Sequence, residues 1–238
     1  MRSAFPGFPA PGIDFLRSLQ RHNHRDWFQP RKHIFDGQVK EPMSALVAAL
    51  NIALKTFSPE HITDPNKAIY RIYRDTRFSK DKTPYKTHIA AYLYWKGSSR
   101  QEGGGYYFAI SPKEVAIGGG IYMPAPETLL AVRNHIAANY GELEKITKTR
   151  AVRRLLGEVQ GEQLTRVPKG FAADHPAAEW LRFKQWYLYT TLDPKVATTP
   201  ALYREILTRF RAMAPFVAFL NRALAPARKK IDARELLF

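Results

Sequence analysis

The sequence predicts an α+β fold, a single domain with a central, mainly antiparallel sheet on which helices from the N- and C-terminal ends are packed. Two observations carry this prediction. Towards both ends of the chain, apolar residues recur every three or four positions, as in helices with one buried face. In the middle, apolar and polar residues alternate, as in half-buried strands. We expect the domain to span 1–238, with residues 1–12 as a flexible N-terminus.

The first third of the chain predicts helices. Residues 13–19 place their apolar side chains on one helical face. A second helical region begins near Asn23, a favourable N-cap residue, and Pro30 interrupts it or fixes its first turn. Pro42 opens a longer helix, because proline is tolerated in a first turn. The apolar stripe of that helix continues to Leu54.

The middle of the chain predicts strands. Residues 68–73 and 88–95 alternate with a period of two and are rich in β-branched and aromatic side chains. After glycine-rich or proline-rich turns, 106–110 and 115–117 resume the pattern. We expect 88–95, 106–110 and 115–117 to form three meandering antiparallel strands, the last of them closed by the three glycines at 118–120, with 68–73 as a further strand before them.

The second half of the chain is mainly helical. Pro126 opens a long helix, in which Gly141 is a candidate break. Thr199 caps the last long helix and Pro200 is its first residue, with an apolar face that continues to Leu224. Between these two helices we expect, in order, a helix over 152–156, a loop over 157–176, a short helix over 177–181 and an aromatic strand over 183–191.

Composition excludes several classes of protein. The chain contains no cysteine, which excludes disulfide scaffolds, iron–sulfur clusters, thiol catalysis and zinc ribbons. Its 37 Lys+Arg against 21 Asp+Glu give a net charge of +16, which either favours anionic partners or reflects lysines and arginines that simply solvate the surface. No apolar stretch has the length of a membrane span and no targeting signal is recognisable, so we expect a cytoplasmic protein without a membrane segment.

Positive charge is concentrated between Ile69 and Ile89, where six cations face two acids and aromatic residues lie between them. Arginine, lysine and hydroxyl groups donate to phosphate or carboxylate oxygens, and aromatic rings can stack on a base. We expect these cations to line an electropositive pocket, with two glycines at its floor and a tyrosine at its rim. The predicted ligand-binding residues are Arg71, Arg74, Arg77, Ser79, Lys80, Lys82, Tyr85, Lys86, Gly119 and Gly120.

The same segment carries a resemblance to a known family. Arg71-Ile-x-Arg-Asp-x-Arg-Phe-Ser-Lys-Asp-Lys-Thr-Pro-Tyr-Lys-Thr resembles the central motif of domain of unknown function 2461, a family of uncharacterised bacterial and fungal proteins. Gly118-Gly119-Gly120-x-Tyr122-x-Pro124 is similar to the family's glycine motif, and Pro168-Lys169-Gly170-Phe171 to its C-terminal pattern. Two features depart from the family's pattern: His22-Asn23, where an Asn-Asn pair is expected, and Pro30, which lies inside a predicted helix. Both lie outside the central motif. The resemblance implies one domain and no established activity, so it assigns no catalytic residue.

The glycine run permits two interpretations. It lies between a predicted strand and a predicted helix, where its N–H groups could form an anion-binding nest. Close packing beside an aromatic residue, or a strand bulge, is the alternative, because glycine runs commonly serve backbone geometry. It is not a phosphate-binding P-loop, since no Gly-Lys-Ser/Thr follows.

Three functions remain open from the sequence. The first is binding of a phosphate-bearing ligand, nucleic acid or nucleotide, in the basic pocket. The second is an enzyme acting on a small anionic substrate, in which Asp75, Asp81 or His88 transfers a proton. The third is a structural lattice of Arg–Asp pairs with no ligand. We expect no cofactor and no metal site, because the seven histidines lack ligand spacing and neighbouring cations repel divalent ions. Oligomeric state and catalysis are not determined.

Overall fold

A computed structural model describes residues 5–96 and 102–225 of the chain and contains a four-stranded antiparallel sheet with the order β1-β2-β3-β4. About 51% of the described residues are helical and 14% are in strands or bridges, which confirms the predicted α+β class. The strands are β1 (Ile89–Leu93), β2 (Gly105–Ile110), β3 (Val115–Ile121) and β4 (Trp186–Leu192). The predicted meander is therefore confirmed as β1 to β3, and β4 joins it at the edge of β3.

Helices precede and follow the meander, close to where the apolar spacing predicts them. Of the helices in the described part of the chain, none combines the length and the apolar character needed to cross a membrane. The α-helices in the described part of the chain are α1 (Ala10–Arg21), α2 (Arg25–Phe28), α3 (Lys32–Phe35), α4 (Glu41–Leu54), α5 (Pro65–Ala68), α6 (Pro126–Thr147), α7 (Arg150–Leu156), α8 (Ala178–Leu181) and α9 (Ala201–Arg222).

The predicted strand over 68–73 is wrong. The Asp64 side chain accepts a hydrogen bond from the backbone N–H of Asn66 at 2.8 Å and so caps α5, with Pro65 in its first turn. Beyond α5 the chain is extended, but within the described residues its strand-like pairing consists of the single bridges Ile69↔Ala91 and Tyr73↔Tyr85. Alternation of apolar residues therefore marked an extended segment that lacks a continuous ladder.

Two predicted helix boundaries also differ. The N-cap of α2 is His24, and Asn23 lies outside the helix with its side chain engaged elsewhere. The interruption in α6 is at Asn139, whose φ of −133° is not helical, rather than at Gly141. The amide of Asn139 donates to the carbonyl of His135 at 2.9 Å, which is the local side-chain bonding by which asparagine competes with helical geometry.

The chain divides into two compact units. The first comprises the described residues of Met1–Leu93, Tyr107–Ile117 and Thr191–Thr208. In its core the ring of Phe28 lies 6.0 Å from that of Phe15, in α1. The buried apolar stripe of α4 runs from Met43 to Leu54. This unit contains the helices before β1, the basic segment and β1.

The N-terminal part of the first unit is packed from Phe5 onwards. Phe5 and Phe8 are buried, and the N–H of Phe8 donates to the carbonyl of Ala197 at 2.8 Å. Helix α1 begins at Ala10. Ordered packing therefore starts before residue 12, the expected end of a flexible terminus, because two phenylalanine side chains in this segment find apolar surroundings.

The second unit comprises the described residues of Tyr94–Tyr106, Gly118–Thr190 and Arg209–Phe238. Its core contains the fully buried Trp186, and the ring of Tyr106 lies 4.8 Å from that of Phe210 in α9. Asn221 fixes the start of β2 through two hydrogen bonds, since its side chain accepts from the N–H of Gly104 at 2.7 Å and donates to the carbonyl of Gly104 at 3.0 Å.

Candidate functional site

Residues Arg71–Lys86, called the basic loop below, belong to the first unit, and the two ends of the loop lie side by side. The N–H of Lys86 donates to the carbonyl of Ile72 at 2.8 Å, and the N–H of Arg74 donates to that of Pro84 at 2.9 Å. These bonds flank the antiparallel bridge Tyr73↔Tyr85. The base of the loop is therefore closed by backbone pairing, although no regular strand forms there.

Tyr85 lies in the core at the base of the loop, not at the rim where the sequence places it. Only 2% of the residue is exposed, and its ring stacks on that of Phe28 with centroids 4.1 Å apart and planes at 20°. Its N–H donates to the side-chain oxygen of Asn23 at 3.0 Å, and its carbonyl accepts from the side-chain nitrogen at 2.8 Å. The Tyr85 ring is therefore a structural anchor, out of reach of a ligand.

Arg74 holds the two arms of the loop together. Its guanidinium donates to a carboxylate oxygen of Asp81 at 2.5 Å and also to the hydroxyl of Thr83. A longer contact of 3.5 Å reaches the hydroxyl of Ser79. The Asp81 carboxylate accepts from the N–H of Thr83 and from Arg74, which lowers its pKa to about 2. Arg74 and Ser79 are therefore occupied within the loop, as the lattice alternative expects.

Arg77 and Asp75 form a second pair near the tip of the loop. The Arg77 guanidinium donates to both carboxylate oxygens of Asp75, at 3.0 and 2.8 Å, and this lowers the pKa of Asp75. The Arg77 side chain is 77% exposed and that of Asp75 is 45% exposed, so the pair is accessible to solvent. Lys82 donates to the carbonyl of Thr76 at 2.9 Å, and Lys80 is exposed.

The candidate proton-transfer residues do not form one cluster. Asp75 and Asp81 have lowered pKa values, so both are ionised near neutral pH and neither suits the role of general acid. Burial, with a contribution from Lys86, lowers the pKa of His88 as well. Within residues 5–96 and 102–225, no hydrogen bond or ion pair joins His88 to either carboxylate. Nothing in this geometry favours proton transfer over binding.

A pocket of about 350 Å³ lies beside the start of the basic loop, entirely within the first unit. Arg71 is the one predicted cation that lines it. Lys32 and Lys40 add two cations that the sequence reasoning missed, and Asp36 is paired with Lys32 at 2.5 Å. The remaining lining residues are Phe28, Phe35, Asn66, Ile69, Tyr70, Ile72 and Tyr73.

A sequence signal for the missed cations does exist. Lys32, Asp36 and Lys40 are spaced four residues apart, which places them on one face of a helical stretch. They lie in α3 and in the π-helical turn Asp36–Lys40 that leads into α4. The spacing predicts a shared face but not the surface that the face meets. That surface is the extended segment before the loop, more than 25 residues further along the chain.

The glycine run is part of a strand. Gly119 and Gly120 are buried within β3, which continues to Ile121 instead of ending at the run. A Cβ on Gly119 would lie 2.4 Å from the sulfur of Met213, and one on Gly120, where φ is +133°, would lie 2.2 Å from the carbonyl oxygen of Trp186. These approaches support the packing interpretation of the run. Neither glycine is among the residues that line the pocket.

The predicted cations therefore do not converge on one cavity. Arg71 lines the pocket, Arg74 is tied into the loop, and Arg77 is paired with Asp75. The ammonium of Lys86 lies 5.3 Å from the ring centre of Tyr70, which itself lines the pocket. Among the described residues no group of three or more potential metal ligands occurs.

The fold and the site together define an α+β protein whose cationic, aromatic-walled pocket adjoins a basic loop. The chain belongs to the family described as "Conserved hypothetical protein (DUF2461)", whose model matches residues 12–219 and so confirms the resemblance seen in the sequence. The comparison with curated proteins found no match, and the comparison with solved structures found none either.

Proposed function

We propose that the protein binds a phosphate-bearing ligand, a nucleotide or a nucleic acid, in the pocket beside Arg71. The observation that carries the proposal concerns three pocket side chains. Arg71, Lys40 and Asn66 line the pocket, and in the described part of the chain no hydrogen bond or ion pair engages their side chains. Their donors are therefore available to a bound molecule.

The charges of the pocket suit an anion. Arg71, Lys32 and Lys40 carry three positive charges, and Asp36 carries one negative charge that its contact with Lys32 already offsets. The Lys32 pKa is raised by that hydrogen bond, so its ammonium stays protonated. A guanidinium that can fork onto two oxygens and a mobile ammonium are the usual donors to phosphate. The Asn66 amide adds a neutral donor.

The walls of the pocket suit the rest of a nucleotide. Tyr70 and Tyr73 contribute partly exposed rings to the wall, whereas the apolar side chains of Phe28, Phe35 and Ile72 are buried and offer little accessible surface. Ligand sites commonly combine such apolar and aromatic walls with a few polar groups that fix orientation. A sugar or a base therefore has surface to contact once the phosphate is held.

The test measures binding of two probes, ADP by calorimetry and an oligothymidylate of about 20 nucleotides by fluorescence anisotropy. We expect Arg71→Gln and Lys40→Gln each to weaken binding about 10-fold, because each removes a charged hydrogen bond to phosphate. For the single strand, each should also reduce the slope of log K against log salt by about 0.7. Asn66→Ala should weaken binding without changing that slope.

Lys113→Gln is the matched control, because it removes one positive charge from an exposed turn outside the pocket. It should leave ADP binding unchanged. Equal losses in Lys113→Gln and Arg71→Gln would show that only overall charge matters and would contradict a site in the pocket. Absence of binding to both probes at low salt would overturn the proposed function.

A further inference from the structure

The tip of the basic loop presents one aromatic ring to solvent. Phe78 is 96% exposed, although most phenylalanines of the described chain are buried. The guanidinium carbon of Arg77 lies 5.8 Å from the centre of its ring. A single exposed apolar side chain is common on protein surfaces and by itself indicates nothing. Its setting in the loop distinguishes this one.

The loop that carries Phe78 is fixed on both sides of the tip. Arg74 binds Asp81 and Thr83, and Lys82 binds the carbonyl of Thr76, so the two arms are tied to each other. The base is anchored by the buried Tyr85. A loop whose arms are already tied together loses little backbone freedom when a partner binds at its tip, which favours binding.

The surroundings of the ring are positively charged. The loop contains six cations and two acids, and both acids are already paired, Asp75 with Arg77 and Asp81 with Arg74. Lys80 is exposed two residues after Phe78. An exposed ring between cations is the arrangement by which proteins bind single-stranded nucleic acid, where bases stack on the ring and phosphates follow the positive charge.

We propose that the loop binds single-stranded nucleic acid, with one base stacked on Phe78 and the backbone running past Lys80 towards the pocket. The inference rests on the proposed function and narrows the class of ligand to single-stranded nucleic acid. Phe78 does not line the pocket, so a mononucleotide held in the pocket would not contact the Phe78 ring. In a duplex the bases are stacked on one another, so a side chain outside the helix reaches only phosphates and groove edges. The ring therefore selects single strands.

An anionic lipid surface is the other partner that a basic loop with an exposed aromatic suits. One phenylalanine offers little apolar surface, whereas stable membrane attachment needs two anchoring signals. The stacking geometry of a single ring suits a base better. Vesicles nevertheless belong in the test, because a lipid partner predicts a different result.

The experiment compares Phe78→Ala, Phe78→Leu and Phe78→Tyr by anisotropy with the oligothymidylate, a duplex of equal length and ADP. Phe78→Ala and Phe78→Leu should both bind the single strand about 10-fold more weakly, and Phe78→Tyr should bind it normally, because stacking requires a ring. The salt slope should be unchanged in all three, since no charge is removed. Duplex and ADP binding should stay at the wild-type level.

The outcomes separate this inference from the proposed function. If Phe78→Ala and Phe78→Leu bind the single strand as the wild type does, while Arg71→Gln binds it weakly, the stacking role is overturned and the pocket stands. If no probe binds, both fail. Loss of binding to phosphatidylserine-containing vesicles without loss of oligonucleotide binding would assign Phe78 to a membrane instead. If Phe78→Ala proves unfolded, Phe78→Leu and Phe78→Tyr still decide between an aromatic and a merely apolar requirement.

Discussion

The base and the tip of the basic loop use aromatic residues in opposite ways. At the base, Tyr85 is 2% exposed, stacked on Phe28 and held by both hydrogen bonds of Asn23. At the tip, seven residues earlier, Phe78 is 96% exposed, and the Arg77 guanidinium lies 5.8 Å from the centre of its ring. Both residues have cations as close neighbours in sequence. Tyr85 and Phe78 therefore have similar sequence neighbours but different physical roles.

The difference shows that a pattern of aromatic and basic residues does not reveal the role of an aromatic ring until the surface that the ring contacts is known. Tyr85 meets the aromatic cluster of the N-terminal helices and gains the free energy of burying a large ring. Phe78 meets nothing in the described residues beyond its own loop. The base should thus determine stability and the tip should determine binding. Three experiments sharpen that division.

The largest effect is expected from Tyr85→Ala. The substitution removes a buried ring that stacks on Phe28 and leaves a cavity beneath the loop, so the free energy of unfolding should fall by about 3–5 kcal/mol. Urea denaturation measures the change. Tyr85→Phe keeps the ring and should cost less than about 1 kcal/mol.

Phe78→Ala is the matched truncation at the tip and should change stability by no more than about 0.5 kcal/mol, as at other exposed positions. Equal destabilisation by Tyr85→Ala and Phe78→Ala would abolish the distinction between base and tip.

A smaller effect is expected from Asn23→Ala. The variant leaves the N–H and the carbonyl of Tyr85 without their side-chain partner, and the two lost hydrogen bonds should cost about 1–3 kcal/mol. Asn66→Ala is the control, because it removes an exposed amide with no described partner and should leave stability unchanged. If both variants unfold at the same urea concentration, Asn23 does not anchor the base.

The smallest effect concerns the arms of the loop and depends on pH. The pKa of Asp81 in the folded protein is about 2, below its ordinary value of 3.8, so its ionised form stabilises the fold. That contribution is complete above the ordinary value and is lost as pH falls through the folded value. Thermal unfolding from about pH 6 to about pH 2 should therefore show a smaller loss for Asp81→Asn than for the wild type.

The wild type and Asp81→Asn should approach equal stability near pH 2. Because the carboxylate is exposed, solvent screening keeps the effect modest. Parallel pH profiles would mean that the Arg74–Asp81 contact is not maintained in solution.

Much of the fold follows from residue spacing. The stripe of α4, the meander of β1 to β3 and the long helix α9 all lie close to where the apolar pattern predicts them. Single residues were harder to predict. Asn23 has the chemistry of an N-cap, but its amide is used by the backbone of Tyr85, 62 residues away. Competition between a local and a distant partner cannot be decided from spacing.

The pocket shows the same limit. Arg71 could be singled out from a cluster of charge in one segment, whereas Lys40 and Asn66 reach the pocket from two other segments of the first unit. Gly119 and Gly120 were assigned to an anion site, and their surroundings show a close approach of Met213 and of the Trp186 backbone. A glycine motif indicates that another group approaches the backbone closely, and only the tertiary structure shows which group it is.

The sequence by itself determined the class of fold, the family and the segment where positive charge accumulates, because periodicity, motif and composition are properties of neighbouring residues. Tertiary structure alone decided which cations are free to bind, which are already paired and which of two similar rings faces water. The physical reason is that pairing and burial depend on distances in space between segments far apart in the chain, and these arise only when the core forms.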